Sequence, residues 1–215
     1  MSQALSPDPR VEGKLEYDRE AIIATVTDFY KHMIKLPHIE PSDLLYPPPE
    51  GWPSITESNF APLKRSEEVI ELLRHLPYLK TSPGQVRGQE SIVAWDTKPI
   101  DYREEKFQPD RIEEGVKMIT QSKDKFPAWV VPLTRGVDLY GIWLMFDTTD
   151  GTATEYQGWC LPNEQDYAVD DPRHWRDKCE GRTMRLRDFF AEWQHRFMTL
   201  EWICLPTDRW QLWWE

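Results

Sequence analysis

Apolar residues recur at helical spacing in two long stretches of this chain and in strand-like runs between them. Ile22, Ile23, Val26, Phe29, Tyr30, Met33 and Ile34 fall three and four apart, the stripe that an amphipathic helix turns toward a core. Asp18 stands at the N-cap position, Glu20 lies in the first turn and Pro37 marks the end. The strongest stripe comes late, at Leu186, Phe189, Phe190, Trp193, Phe197 and Leu200, with Thr183 as the expected cap. A shorter helix over Val69, Ile70, Leu72, Leu73 and Leu76 follows Ser66, with Glu67 and Glu68 in its first turn. It stops before Pro77, and His75 sits at its C-terminal end, where a cation is favourable.

Between the helices the pattern changes to β-type runs. These are residues 91–95, continued over 100–102 past Pro99, then 129–133, 139–146 and 152–156. Pro132 confines its strand to a sheet edge or a bulge, because proline cannot donate to a ladder. The run 140–146 is nearly all apolar and predicts a central strand covered on both faces. Asp147-Thr-Thr-Asp-Gly151 between two such runs reads as a hairpin turn. Residues 109–121 are ambiguous: Ile112, Val116 and Ile119 fit a helix, and Gly115 weakens it.

Three segments look irregular. Residues 1–16 are polar and read as a disordered N-terminal tail. Residues 36–64 form a proline-punctuated connection whose Pro47, Pro48 and Pro49 favour polyproline II. Its Leu44, Leu45, Tyr46, Trp52 and Ile55 are expected to pack on the body, or the prolines mimic a proline-rich ligand on an aromatic surface. Residues 158–182 are charged and loop-rich. The architecture this predicts is a single α+β domain over 17–215, a mainly antiparallel sheet packed against two long amphipathic helices.

Composition narrows the class. The chain has 215 residues with 26 Lys plus Arg against 37 Asp plus Glu, a formal charge of −11. Such an acidic balance disfavours nucleic acid, whose phosphates need a basic face. One local exception is the set Arg173, Arg176, Lys178, Arg182, Arg185 and Arg187, interleaved with Asp170, Asp171, Asp177, Glu180 and Asp188. A solvated, salt-bridged loop is the leading reading of it, and a phosphate or acidic-partner site the alternative. Eleven Trp are present, and nine of them lie from Trp129 onward. Cys160, Cys179 and Cys204 are too sparse for a disulfide framework and form no CxxC pair. With no signal-peptide pattern and no apolar run of spanning length, a cytoplasmic or nuclear protein without membrane contact is expected.

Motifs for chemistry are missing. The chain has no P-loop, dinucleotide fingerprint, HExxH or nucleophile elbow. A calcium reading of Asp147–Gly151 fails, because Phe146 and Gln157 fall where an EF-hand loop needs carboxylates. His174 and Cys179 with Asp170 and Asp171 fit no common zinc spacing. No cofactor and no metal are therefore expected. Asp101-Tyr102-Arg103 follows a strand, and Tyr and Arg are favoured interface anchors.

Two resemblances add to this. YPPPEGWPSIT at 46–56, EEVIELLRHLPYL at 67–79 and DTKPIDYR at 96–103 resemble an uncharacterised protein family of filamentous fungi. Residues 128–200 place AWVVPLT, LYGIWLMFDT, a glycine turn, a further strand and LRDFFAEWQHRF in an order similar to the SUKH superfamily. That superfamily's usual Leu-Pro helix and Asn-Gly-Gly segment are absent, with RHLPYLK at 74–80 a distant echo. The resemblance implies an α+β protein-binding module. The favoured expectation is thus a non-enzymatic module for an unidentified protein partner, binding through Tyr46, Trp52, Tyr102 and Arg103 or through Trp210, Trp213 and Trp214. The rival is an enzyme with an aromatic-lined pocket for a small apolar or planar ligand, in which His38, His75 or a carboxylate near Asp101 does the acid/base work. The terminal Trp group, at i, i+3, i+4, is expected to dock back on its own domain, with self-association as the alternative.

Overall fold

The stripe after Asp18 forms helix α1, Arg19–Met33, and the Asp18 carboxylate caps it by accepting from the Ala21 N–H. The computed structural model describes residues 8–80, 93–94, 96–119, 126–137, 141–156, 166–179 and 181–203. After α1 the proline-rich connection carries a two-residue strand, β1 (Leu44–Leu45), and a single helical turn, α2 (Glu57–Phe60). Helix α3 (Glu67–His75) begins where expected, with the Ser66 side chain accepting from the Val69 N–H. Strand β2 (Tyr78–Leu79) then pairs antiparallel with β1.

Strand β3 (Thr97–Pro99) pairs with β5 (Thr134–Gly136), so the expected continuation over 100–102 ends at Pro99. Of the run 91–95, only Val93 and Ala94 are described, and they turn back on Thr97 rather than extending. The ambiguous segment is helix α4 (Ile112–Ile119). Gly115 is required there: a Cβ would lie 2.5 Å from the Phe107 ring and 2.8 Å from the Lys106 carbonyl oxygen.

The main sheet has the order β4-β6-β7-β8, all antiparallel, with β4 (Val130–Pro132), β6 (Trp143–Asp147), β7 (Thr152–Tyr156) and β8 (Thr183–Arg185). Pro132 stands on the edge strand, and β6 is central, as the patterning requires. Alternation along β6 serves two cores. Leu144 and Phe146 join the large core with α1, α3 and Phe189, Phe190 and Trp193, while Met145 joins Val130, Tyr156, Trp175 and Cys179 on the other face. β6 starts at Trp143 rather than near 139, and residues 138–140 lie outside the described set.

Thr183 does not cap the last helix. It opens β8, and its hydroxyl lies 2.9 Å from that of Thr154 on the neighbouring strand. The helix, α5 (Leu186–Met198), starts after an extended Arg185. β8 therefore feeds straight into α5 and lays it across the sheet against α1, where Phe190 stacks on Phe29 with ring centroids 4.1 Å apart. The result is an α+β fold of antiparallel sheets and two long amphipathic helices.

Candidate functional site

Two clusters of polar and aromatic groups stand out from this frame. The first lies where the proline-rich connection meets the loop after β3. The chain runs extended through Tyr46 and then turns, with the Gly51 N–H donating to the Pro48 carbonyl at 2.8 Å. The three prolines are thus an arm and a corner rather than one polyproline rod. Past the corner, Trp52 docks on the C-terminal end of α3. Its N–H donates to the Arg74 carbonyl at 2.8 Å and its indole Nε1–H to the Leu76 carbonyl at 2.8 Å.

Arg103 covers the face of this indole, its guanidinium carbon 4.2 Å from the Trp52 ring and 5.4 Å from that of Tyr78. Asp101 holds the guanidinium in place by a two-pronged pair, accepting from Nε at 2.9 Å and from Nη2 at 2.6 Å. Burial raises the Asp101 carboxyl above the ordinary aspartate value, and Arg103 pulls it back. The Arg103 side chain remains 19% exposed. Tyr46, on the same proline-rich connection as Trp52, is 53% exposed, and Pro48, Pro49 and Glu50 are also exposed.

Tyr102 does not belong to this surface. It is 1% exposed, packs against Phe107 with centroids 4.8 Å apart, and its hydroxyl donates to the Pro132 carbonyl at 2.8 Å. A residue between two polar neighbours looks surface-bound in sequence, but here the chain turns after β3 and drives the middle side chain inward. Trp210, Trp213 and Trp214 lie outside the described residues. Ahead of them Met198, Leu200 and Ile203 are exposed.

The second cluster is a buried cation, and it corrects the solvated reading for Arg173 and Arg176, while Arg182 and Arg187 remain exposed in ion pairs with Glu155, Glu192 and Asp188. Arg176 is 0% exposed and Arg173 is 3% exposed. Arg176 lies in a 3-10 turn over His174–Lys178 and reaches the β6–β7 hairpin. Its Nη2 donates to Asp147 at 2.8 Å and to Asp150 at 2.9 Å, and its Nη1 to Asp8. Each hairpin aspartate divides its oxygens. Asp147 Oδ1 accepts from the N–H and hydroxyl of Thr149, and Asp150 Oδ1 from those of Thr152. The second oxygen of each is left for the guanidinium. The Asp-Thr-Thr-Asp-Gly-Thr turn is thus a cation cradle, but the cation is an arginine of the same chain.

Burial raises the Asp147 carboxyl, with the Asp150 charge adding to it, despite the opposing arginine. For Arg176 burial acts to lower the pKa, and Asp150 and Asp147 more than reverse it, so the guanidinium stays charged.

Asp8, within the stretch 1–16 that the sequence reads as a tail, joins this centre through Arg176. Asp8 also accepts from the Tyr167 hydroxyl at 2.7 Å. Two residues on, Arg10 donates to Asp166 at 2.6 Å, to Asp177 at 2.5 Å and to the Arg176 carbonyl at 3.0 Å. Its guanidinium lies over the Tyr167 ring at 4.9 Å. Sequence reading missed Asp8, Arg10, Tyr167 and Arg176 as a set, because 137 or more positions separate the first pair from the hairpin aspartates.

Two of the groups named for acid/base work have local partners. His75 Nδ1 lies 2.9 Å from the Glu71 carbonyl oxygen of its own helix, and Asp101 is committed to Arg103. A cavity of about 10 Å³, room for roughly one water, lies beneath Tyr30, Tyr78, Tyr102 and Phe190. No Trp and none of His38, His75 and Asp101 line it. Among the described residues no group of three or more His, Cys, Asp or Glu is arranged to hold a metal ion, and no helix is long and apolar enough to cross a membrane.

No family model, curated protein or solved structure matches this chain.

Proposed function

We propose that this chain is a non-enzymatic intracellular protein-binding module, SUKH-like in type, whose docking face is the ridge of Tyr46 and the prolines after it together with the Arg103–Trp52 stack. The observation that carries this reading is the preorganised stack itself. Trp, Tyr and Arg dominate interface energetics, and here a buried carboxylate holds a guanidinium over an indole that lies six positions along the chain from an exposed tyrosine. Prolines in the ridge and hydrogen bonds at Trp52 fix the backbone, so a partner pays little ordering entropy to engage it. The edge strand, central strand, hairpin, further strand and helix on which the SUKH resemblance rests follow one another over 130–198, with β5 inserted after the first and β8 before the last, and this succession adds to the reading. Kinship with the filamentous-fungal family is part of the same proposal.

The test is affinity capture from cell extract with matched variants. Tyr46→Ala and Pro48→Ala change exposed groups, so both should keep the fold. A stoichiometric partner should be retained by the wild-type chain and lost or strongly depleted by these variants. Retention of the same partner by all three chains, or no stoichiometric partner on repetition, refutes the assignment. The enzymatic rival finds no ligand-sized space in the cavity beneath Tyr30 and Tyr102.

A further inference from the structure

Asp8-Pro9-Arg10 is held as a bound peptide is held. Every long-range polar contact of the tripeptide described here comes from its two charged side chains, and none from a β-ladder. The Asp8 carboxylate sits on Arg176 and the Tyr167 hydroxyl. The Arg10 guanidinium takes Asp166, Asp177 and the Arg176 carbonyl, and lies over the Tyr167 ring. Pro9, between them, is exposed. The local backbone is set by the segment itself, since the Arg10 N–H donates to Asp8 Oδ1 at 2.8 Å.

The receiving surface is complete without this segment. Its residues come from 166–177, and the buried Arg176 remains paired with Asp147 and Asp150 when Asp8 is taken away. Asp177 is also oriented independently, accepting from the Tyr167 N–H at 3.1 Å. What departure of the segment would leave is an arginine and a tyrosine hydroxyl facing a missing carboxylate, and two aspartates facing a missing cation. The spacing between the two subsites is that of residues i and i+2. The chain linking Arg10 to α1 is mostly exposed, with side attachments where Arg185 donates to the Glu12 carbonyl at 2.7 Å and the Lys14 carbonyl at 3.4 Å and where the Tyr17 hydroxyl donates to Glu68 at 2.8 Å. The grip is concentrated in two side chains on a short tether, which is the arrangement of an exchangeable ligand.

We propose that Tyr167, Arg176, Asp166 and Asp177 form a peptide-binding site for an extended Asp-x-Arg segment of another protein chain, and that the chain's own Asp8-Pro9-Arg10 fills the site in cis as an intramolecular competitor. A short tether gives the cis segment an effective concentration of order millimolar. A ligand in trans therefore binds only where the cis segment is released or outcompeted.

The experiment titrates a synthetic peptide of residues 6–14, SPDPRVEGK, into the chain lacking residues 1–10, by calorimetry, with far-UV circular dichroism to establish that the truncated chain is folded. Binding is expected, at least about tenfold tighter than to the full chain. Peptides carrying Asp8→Asn or Arg10→Ala should bind at least about tenfold more weakly, the scale of one lost charge-assisted contact. The proposal is overturned if the folded truncation does not bind the peptide, if the altered peptides bind equally, or if the full chain binds as well as the truncation. Should the truncation not fold, the full chain with Arg10→Ala replaces it, because Asp8 then still neutralises Arg176 while the cation subsite is vacated. That variant should bind the peptide about tenfold more tightly than wild type, and equal affinity overturns the proposal.

Discussion

Replacing Arg176 by methionine removes the buried cation while keeping most of the side chain's length. Three carboxylates, Asp8, Asp147 and Asp150, then lose the one guanidinium that pairs with all of them, and all three residues are buried. Removing one partner of a buried ion pair costs about 3–5 kcal/mol, because the remaining charge is left desolvated. In a chain of this length each kcal/mol moves the melting temperature by about 2–4 °C, so a drop of about 6–20 °C is expected. Urea unfolding followed by tryptophan fluorescence gives the free energy directly. The sign of its pH dependence follows from Asp147, whose folded pKa is raised. A proton on this group favours the folded state, so its contribution is present at low pH and is lost as pH rises through the folded pKa. Without Arg176 the Asp147 carboxyl rises further, so the penalty of the substitution should be largest at pH 7 and smaller at pH 5. A double-mutant cycle isolates the cause. In a background of Asp147→Asn and Asp150→Asn, whose amide oxygens can still accept from Thr149 and Thr152, Arg176→Met should cost clearly less. A loss under about 1 kcal/mol in the wild-type background, or an equal loss in both backgrounds, would refute the reasoning.

Other expectations are simpler. Gly115→Ala should destabilise the chain by up to about 2 kcal/mol although alanine is the better helix former by about 1, because overpacking against Phe107 and Lys106 outweighs propensity; a higher urea midpoint would contradict this. Tyr102→Phe should cost about 1–3 kcal/mol by leaving the Pro132 carbonyl without its buried donor, measured by the same unfolding assay. Arg182 and then Arg196 hold the Glu192 carboxyl below its ordinary value of 4.5. The stability it contributes is therefore present above that value and lost as pH falls through the lower folded pKa. Glu192→Gln should lower stability at pH 7 by less than about 1 kcal/mol, since the group is part-exposed, and the difference from wild type should vanish in acid. Tyr46→Ala should leave stability within about 0.5 kcal/mol of wild type while depleting the captured partner.

Local signals in the sequence carried much of the architecture. The α1 stripe, the late stripe as far as Phe197, the Asp18 and Ser66 caps, the edge position of Pro132, the centrality of the 140–146 run and the hairpin at 147–151 were legible, because each depends on residues within a few positions of one another, whereas Leu200 lies beyond the helix and is exposed. Thr183 shows the limit of that legibility. A threonine ahead of an apolar helical stripe fits a cap, and only pairing with Thr154 on β7 makes it a strand residue instead. Tyr102 shows it again: its burial is decided by the turn after β3 and by a carbonyl thirty positions later.

The candidate sites divide the same way. Trp52 and Arg103 were visible singly as interface residue types, but their stacking depends on α3 offering the Arg74 and Leu76 carbonyls to the indole and on Asp101 holding the guanidinium. Arg176 was visible only as one cation among six. Whether an arginine is solvated or buried is set by which carboxylates the fold brings to it, and these come from Asp8 at one end of the chain and the hairpin in the middle. Sequence by itself determined the long helices, the central and edge strands and the hairpin at 147–151, through short-range periodicity and turn chemistry. Tertiary structure alone decided which cation that turn holds, because long-range charge pairing depends on the closure of the whole chain.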